Sequence, residues 1–93
     1  MSKNDTKKTL EMTPETEALV EDIAQKVHAA WVDLRQKDGW TYGPKRNDDT
    51  KQTPCLVPYE QLPEEEKQYD RNTAVCAIRA LIENGYELIP PKK

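Results

Sequence analysis

Three side chains in the first half of the chain have the types and spacing of a site for a planar anion. His28, Trp31 and Arg35 lie three and four residues apart, so they share one ridge if this stretch is helical. An indole face can stack on a planar base, and a guanidinium can pair with a phosphate. The alternative is structural, with Trp31 in the core and Arg35 over its ring as a surface cation–π pair. The helical spacing predicts that His28 and Arg35 face water.

A second group of candidate residues follows in a glycine-bounded segment. Trp40 is predicted to fold over the end of the first helix as part of the core, whereas Tyr42 and Arg46 are predicted ligand contacts. Arg46 has an alternative partner in the carboxylates that follow it, of which Asp48 is the nearest. Tyr59 lies in a rigid stretch beside a proline, and a structural role is the main interpretation there. Its hydroxyl is the remaining candidate for a cleft.

Catalytic and metal-binding chemistry find little support in the sequence. A nucleophile and its base would require His28 beside Cys55 or Cys76, and no spacing brings them together. These three soft ligands are fewer than the four of a structural zinc site. The glycines do not form a phosphate-binding loop. We therefore expect no enzymatic activity, no metal, no cofactor and two free thiols.

Composition restricts the class of protein further. The chain has 93 residues and a net charge of −3, which suits one small domain. It contains no run of four basic residues, so binding to a nucleic acid duplex through counterion release is not expected. No apolar run approaches the roughly 18 residues of a membrane span, and residues 1–12 lack the apolar core of a signal peptide. We expect a cytoplasmic protein without a membrane partner.

The elements that must position these side chains are two helices. Thr13 can cap the first helix, and Pro14 suits its first position. Apolar residues then recur at spacings of three and four, namely Val20, Ile23, Val27, Trp31 and Leu34. Gly39 is a natural stop. The sequence therefore predicts a first helix over about residues 14–38.

The second half predicts another helix and short extended segments. Residues 62–67 indicate a single helical turn, after which Asp70 is predicted to cap a second helix that ends at Gly85. Its apolar face comprises Ala74, Val75, Ile78, Leu81 and Ile82. Residues 55–57 lie between prolines and indicate an edge strand or an ordered extended segment. Residues 86–89 alternate like a brief strand.

Two helices alone would bury too little apolar surface, so the long loop over residues 40–60 must fold back across them. The residues predicted to complete the core are Trp40, Tyr42, Leu56, Val57, Tyr59 and Leu62. The predicted fold class is α+β, mainly α, with two antiparallel amphipathic helices, a long ordered loop and short β-strands. We expect a disordered tail over residues 1–12, one domain over residues 13–90 and a short tail over residues 91–93.

Two motifs at a fixed separation carry a resemblance to a known family. The first, GWTYGP, covers residues 39–44, and the second, PCLVPY, covers residues 54–59. They are flanked by HAAW at residues 28–31 and by a helix that ends in LIENGY at residues 81–86. This combination resembles the Ryr domain, which occurs in tandem copies in ryanodine receptors and as standalone or fused modules in prokaryotes.

The resemblance implies paired helices with short strands, repeats that pair with one another, and a role in binding and regulation. It implies nucleotide-like ligands and no catalysis. For this chain we therefore expect a homodimer and a ligand site that contains Trp31, Arg35, Tyr42, Arg46, His28 and Tyr59. The alternative is a protein–protein interaction module without a small-molecule ligand, which would dock through the long loop and the side of the second helix around Cys76.

Overall fold

The computed structural model describes residues 10–89. The elements in chain order are α1 (Pro14–Lys37), β1 (Thr41–Tyr42), β2 (Gln52–Thr53), a 3-10 helix (Tyr59–Gln61) and α2 (Glu64–Glu83). The fold is α+β and mainly α, as the sequence predicts. None of the helices in this range is long and apolar enough to cross a membrane. The tails predicted for residues 1–12 and 91–93 lie outside the described residues, apart from residues 10–12.

The predicted bounds of α1 are confirmed, and local signals set both ends. The side-chain oxygen of Thr13 accepts a hydrogen bond of 3.1 Å from the Thr16 amide, which satisfies one of the free N–H groups of the first turn. At the other end Gly39 adopts a φ of +91°, where glycine is favoured. The Trp40 amide then donates to the Arg35 carbonyl at 2.9 Å, which closes a Schellman motif. This turn brings Trp40 back beside the last turn of α1.

α2 begins seven residues earlier than predicted. Pro63 occupies the position before the first turn, and the acidic residues 64–66 stabilise the positive end of the helix dipole. Asp70 is therefore an interior residue of α2, and the prediction that it caps the helix is wrong. Its carboxylate faces His28 of α1 instead. The predicted stop is confirmed, because Gly85 has a φ of +95° and follows the last helical turn.

The two long helices pack in opposite directions. His28, in the second half of α1, faces Asp70 near the start of α2. Val20, in the first half of α1, packs with Ala74 and Ile78 further along α2 in the first core cluster. Other apolar side chains pack against that cluster, namely Leu10, Ile23, Val75 and Ile82. The helix pair therefore buries most of the apolar faces that the sequence periodicity predicts, but Leu34 and Leu81 of those faces are exposed.

The long loop completes the core, as predicted. Tyr59 and Leu62 form a second buried cluster with Ala24 of α1. Trp40 and Leu56 are also buried. The prediction that Tyr42 belongs to the core is wrong, because its side chain is 58% exposed on β1.

The strands lie inside the long loop rather than at the predicted positions. β1 and β2 pair in parallel, with Thr41 opposite Gln52 and Tyr42 opposite Thr53. The edge strand proposed for residues 55–57 is wrong, and so is the strand predicted for residues 86–89, because neither segment has strand structure. A strand exists only where a second strand supplies matching backbone groups. Alternating residue types cannot provide that partner.

The connection between the parallel strands β1 and β2 can be short because the chain turns back on itself between them. Asn47 forms an antiparallel bridge with Gln52, and the two residues exchange backbone hydrogen bonds of 2.8 and 2.9 Å. The Asn47 side-chain oxygen also accepts from the amides of Asp49 and Thr50. The residue before β2, Lys51, adopts a φ of +56°. Gln52 thus bonds to Asn47, whereas the carbonyls of its neighbours Lys51 and Thr53 accept from the amides of Thr41 and Gly43.

Replacing Gly43 with alanine is expected to disrupt this strand pair. A Cβ atom at position 43 would lie 2.8 Å from the Gln52 Cβ, which cannot move without the backbone of β2. We expect a loss of about 1–3 kcal/mol in the free energy of unfolding, as for overpacking elsewhere. Gly85→Ala is the comparison, because a Cβ there meets nothing within 4 Å and adds only backbone strain. An unchanged melting temperature, with unchanged amide exchange at position 43, would contradict the prediction.

Candidate functional site

Four side chains alternate as rings and guanidinium groups on one side of the domain. The Arg35 Cζ lies 5.4 Å from the centroid of the Trp31 ring and 5.1 Å from that of Trp40. The Arg46 Cζ lies 5.5 Å from the Trp40 centroid. We call Trp31, Arg35, Trp40 and Arg46 the Trp–Arg stack. Each cation–π contact of this kind contributes about 0.5–2 kcal/mol.

Three different elements build the Trp–Arg stack. Trp31 and Arg35 are four residues apart on α1 and therefore share one face of the helix. Trp40 is returned to that face by the glycine turn at the end of α1. Arg46 reaches it from the connection between β1 and β2. The cation–π contact of Arg35 with Trp31 that the structural alternative predicts is confirmed, but Trp31 is only half-buried and not a core residue. The predicted burial of Trp40 is confirmed.

The two arginines differ in how their charge is balanced. The Arg46 Nε donates to the Asp48 carboxylate at 2.8 Å on the exposed surface. This hydrogen bond lowers the pKa of Asp48 and raises that of Arg46. Within residues 10–89, Arg35 forms none of the ion pairs that join basic side chains to carboxylates. Its guanidinium is held between two rings and keeps its charge available for an anion.

His28 is buried, so the prediction that it faces water is wrong. Its side chain is 5% exposed, because residues 55–58 of the loop cross over this face of α1. Its Nε2 lies 2.7 Å from the Val57 carbonyl oxygen, so this nitrogen carries the hydrogen and donates. Its ring stacks on Trp31 with centroids 5.7 Å apart and planes inclined by 23°. His28 therefore ties the loop to α1 and supports one side of the Trp31 ring.

A cleft of about 400 Å³ opens beside the Trp–Arg stack. It is lined by His28, Trp31, Arg46, Thr53, Pro54, Cys55, Leu62, Glu66, Tyr69 and Asp70. This volume falls within the range of small-molecule sites. We call it the main cleft. Its walls combine an aromatic ring, a guanidinium and the carboxylates of α2.

A second groove of about 380 Å³ lies on the other side of the loop. It is lined by Gln25, His28, Ala29, Val32, Asp33, Gln36, Leu56, Val57, Pro58 and Tyr59. Neither arginine of the Trp–Arg stack lines this groove. Its single charged lining residue is Asp33, which makes it a poor site for an anion.

The structure brings together some of the predicted site residues and separates others. His28, Trp31 and Arg46 line the main cleft, and Arg35 lies against the Trp31 ring. Tyr42 points to solvent on β1 and is not among the residues of the main cleft. Tyr59 lines the second groove instead.

The Tyr59 hydroxyl belongs to a structural cluster between the helices. Its oxygen is buried and has no hydrogen-bond partner within the described residues. Burial and the nearby Glu21 carboxylate raise the pKa of Tyr59 to about 12, so the hydroxyl stays protonated. The Arg71 Nε donates to Glu21 at 2.9 Å, and Arg71 also bonds to Glu64. This cluster joins α1 to the first turns of α2.

The sequence reasoning missed the contribution of α2 to the main cleft. Glu66 and Asp70 are four residues apart on α2, so both can face the cleft. The four-residue spacing of Glu66 and Asp70 could have predicted this contribution. It was not recognised because the predicted start of the second helix at Asp70 left Glu66 outside that helix. Burial raises the pKa of Asp70, His28 opposes this shift, and Glu66 adds to it.

The cleft contains no sign of nucleophilic or metal chemistry in the part of the chain that the structure describes. Burial and the nearby Glu66 raise the pKa of the Cys55 thiol, so the reactive thiolate is disfavoured. No group of three potential metal-binding side chains occurs among residues 10–89. Both cysteines are free thiols, and Cys76 is exposed on α2.

The fold and the cleft together define a small α+β domain in which a helix pair and a short strand pair surround an aromatic and arginine-bearing cleft. A family model described as the RyR domain matches residues 4–90. The chain therefore belongs to the RyR domain family, as the motifs at residues 39–44 and 54–59 indicated.

Proposed function

We propose that this domain is a non-catalytic regulatory module that binds a nucleotide-like ligand in the main cleft. The observation that carries the proposal is the Trp–Arg stack at the edge of that cleft. Trp31 is only half-buried and lines the cleft, so a planar base can stack on the part of the indole that His28 and Arg35 leave exposed. Such stacking contributes about 1–3 kcal/mol per base.

The arginines supply the second half of the recognition. Arg46 lines the main cleft and Arg35 lies within stacking distance of Trp31, so an anionic group next to the base meets positive charge. Guanidinium groups bind phosphate oxygens through charge-assisted hydrogen bonds, often two at a time. Arg46 would exchange its exposed contact with Asp48 for the ligand at little cost, because exposed ion pairs are weak.

The charge of the domain favours a small ligand over a nucleic acid. The net charge is −3, and the first turn of α2 carries three consecutive glutamates. A long polyanion would meet these carboxylates along its length, whereas the single phosphate group of a nucleotide can lie beside the arginines of the Trp–Arg stack.

The proposal is tested by measuring the melting temperature of the domain with a panel of nucleotides, nucleotide sugars and cyclic nucleotides. At a hundred times its dissociation constant, a ligand should stabilise the domain by about 2.7 kcal/mol. In a domain of this size the melting temperature should rise by roughly 10 °C or more. Trp31→Ala and Arg35→Ala are expected to weaken binding by roughly tenfold or more, since each removes one part of the recognition.

The matched control is Arg79→Ala, which removes an exposed arginine of α2 outside the main cleft. It should leave the ligand-induced shift unchanged. If no nucleotide shifts the wild-type melting temperature, or if Trp31→Ala and Arg35→Ala respond like Arg79→Ala, the proposal fails.

The alternative function is a protein–protein interaction module without a small-molecule ligand. It is favoured by the exposed apolar side chains after α2, namely Tyr86, Leu88 and Ile89. Large exposed apolar patches mark interaction sites more often than scattered apolar residues do. Absence of any nucleotide shift, together with capture of a partner that is lost in Ile89→Ser, would favour this function.

We also propose that the chain acts as a single-copy, prokaryotic-type member of the family in the cytoplasm and pairs with a second copy of itself. The support is the pairing of repeats in the family and the exposed small residues of α2 around Cys76, among them Ala77 and Ala80. Analytical sedimentation at high protein concentration tests the pairing, and a monomer under all conditions would contradict it.

A further inference from the structure

The Asp70 carboxylate in the main cleft lacks a hydrogen-bond donor within the described chain. Its side chain is 19% exposed and lines the cleft. The nearest nitrogen is that of the His28 ring, whose Nδ1 lies 3.6 Å from the carboxylate and thus beyond hydrogen-bond distance. The other ring nitrogen of His28 is committed to the Val57 carbonyl. A largely buried carboxylate is stabilised by donors, and the open side of Asp70 is the cleft.

Glu66 gives the cleft a second acceptor on the same helix face. It lies one helical turn before Asp70 and lines the same space, as do Trp31 and Arg46. The cleft is therefore not uniformly cationic. One part of its lining offers a ring and a guanidinium, and another part offers two carboxylates.

We propose that Asp70, assisted by Glu66, determines ligand specificity by accepting hydrogen bonds from donor groups of the nucleoside. This inference rests on the proposed function and names the part of the ligand that the site selects. The donors are either the two ribose hydroxyls or an amino or N–H group of the base. Both kinds of donor group carry hydrogen atoms that a carboxylate can accept. In a nucleotide, each is separated from the phosphate by a distance comparable to the size of the stacked ring.

The arrangement also fixes the direction in which the ligand lies. A phosphate beside Asp70 or Glu66 would be repelled, so the phosphate lies towards Arg46 and the donors lie towards α2. A bare polyphosphate meets the same repulsion without offering a donor in return. The cleft should therefore prefer a nucleoside phosphate to an inorganic phosphate of equal charge.

The test is calorimetric titration of the whole chain with ADP, GDP and inorganic pyrophosphate. Asp70→Asn is expected to weaken binding of the preferred nucleoside diphosphate by roughly tenfold or more, because hydrogen bonds to a charged group are lost. The same variant should bind pyrophosphate more tightly than wild type, because a repelling charge is gone. Changes of opposite sign would not result from a merely structural role. Asp22→Asn on the exposed face of α1 is the matched control and should change neither affinity.

The 2′-deoxy forms of the two diphosphates separate the two donor sources. If wild type binds them more weakly and Asp70→Asn no longer distinguishes them, the ribose hydroxyls meet Asp70. If wild type binds both forms equally while Asp70→Asn weakens both, a base donor meets Asp70. Either result supports the inference.

Two results would overturn it, and they are distinguishable. If Asp70→Asn leaves nucleotide binding unchanged, or weakens nucleotides and pyrophosphate alike, the specificity role is wrong and the proposed nucleotide site stands. If wild type binds none of the nucleotides of the panel, ADP and GDP included, the proposed function fails and the specificity role fails with it. Should Asp70→Asn not fold by circular dichroism, Glu66→Gln carries the same test, because Glu66 is only partly buried and exposed to the same ligand.

Discussion

Replacing Ile78 with alanine is expected to destabilise the domain by about 2–5 kcal/mol. Ile78 is 2% exposed and packs with Val20 and Ala74 in the first core cluster. The substitution removes apolar contacts and leaves a cavity that rigid neighbouring helices cannot fill. A domain has roughly 5–15 kcal/mol of stability in total, so this loss is a large part of it.

Denaturant unfolding and thermal melting measure this effect. The melting temperature should fall by roughly 10 °C or more. Leu81→Ala on the same helix is the control, because Leu81 is 45% exposed, and its loss should be well below that of Ile78→Ala. Equal effects of the two substitutions would contradict the assigned packing of α2 on α1.

Replacing His28 with alanine is expected to lower the free energy of unfolding by about 2–4 kcal/mol, because it leaves a partly buried carbonyl without its donor and opens a cavity. The Val57 carbonyl loses the 2.7 Å hydrogen bond from Nε2. Asp70 loses the imidazole that faces its carboxylate, and Trp31 loses the ring stacked on it. The fluorescence of Trp31 should therefore shift as the indole gains contact with water.

His28→Gln is the matched variant for this prediction. A glutamine amide can place a nitrogen near the position of the histidine Nε2 and can still donate to the Val57 carbonyl. It should restore part of the stability lost in His28→Ala. A glutamine variant as unstable as the alanine variant, with an unchanged tryptophan spectrum in both, would show that His28 does not connect the loop to α1.

The sequence predicted features that depend on local interactions. The start of α1 follows from a threonine cap and a proline, and both helices end at a glycine with positive φ. Caps and glycine turns involve residues a few positions apart, so they can be read without a tertiary structure. The cation–π pair of Trp31 and Arg35 is local for the same reason, since one helical turn separates them.

The start of α2 shows where a local signal was ambiguous. Both Pro63 and Asp70 can precede a helix, and the sequence alone does not say which one does. Asp70 faces His28 of α1 in the folded domain and is not available as a cap. The helix thus begins directly after Pro63, where the proline and the acidic residues 64–66 both favour a helix start.

The strands and the main cleft were decided by tertiary structure. β1 and β2 form because Asn47 and the residues around it turn the chain back, which pairs residues 41–42 with residues 52–53. His28 is buried because a loop almost 30 residues later in the chain crosses it. Glu66 and Asp70 join Trp31 and Arg46 at one cleft only after the helices pack. The sequence determines which interactions each side chain can form. Contacts between residues far apart in the chain depend on how the helices and strands pack, and periodicity along one element does not predict that packing.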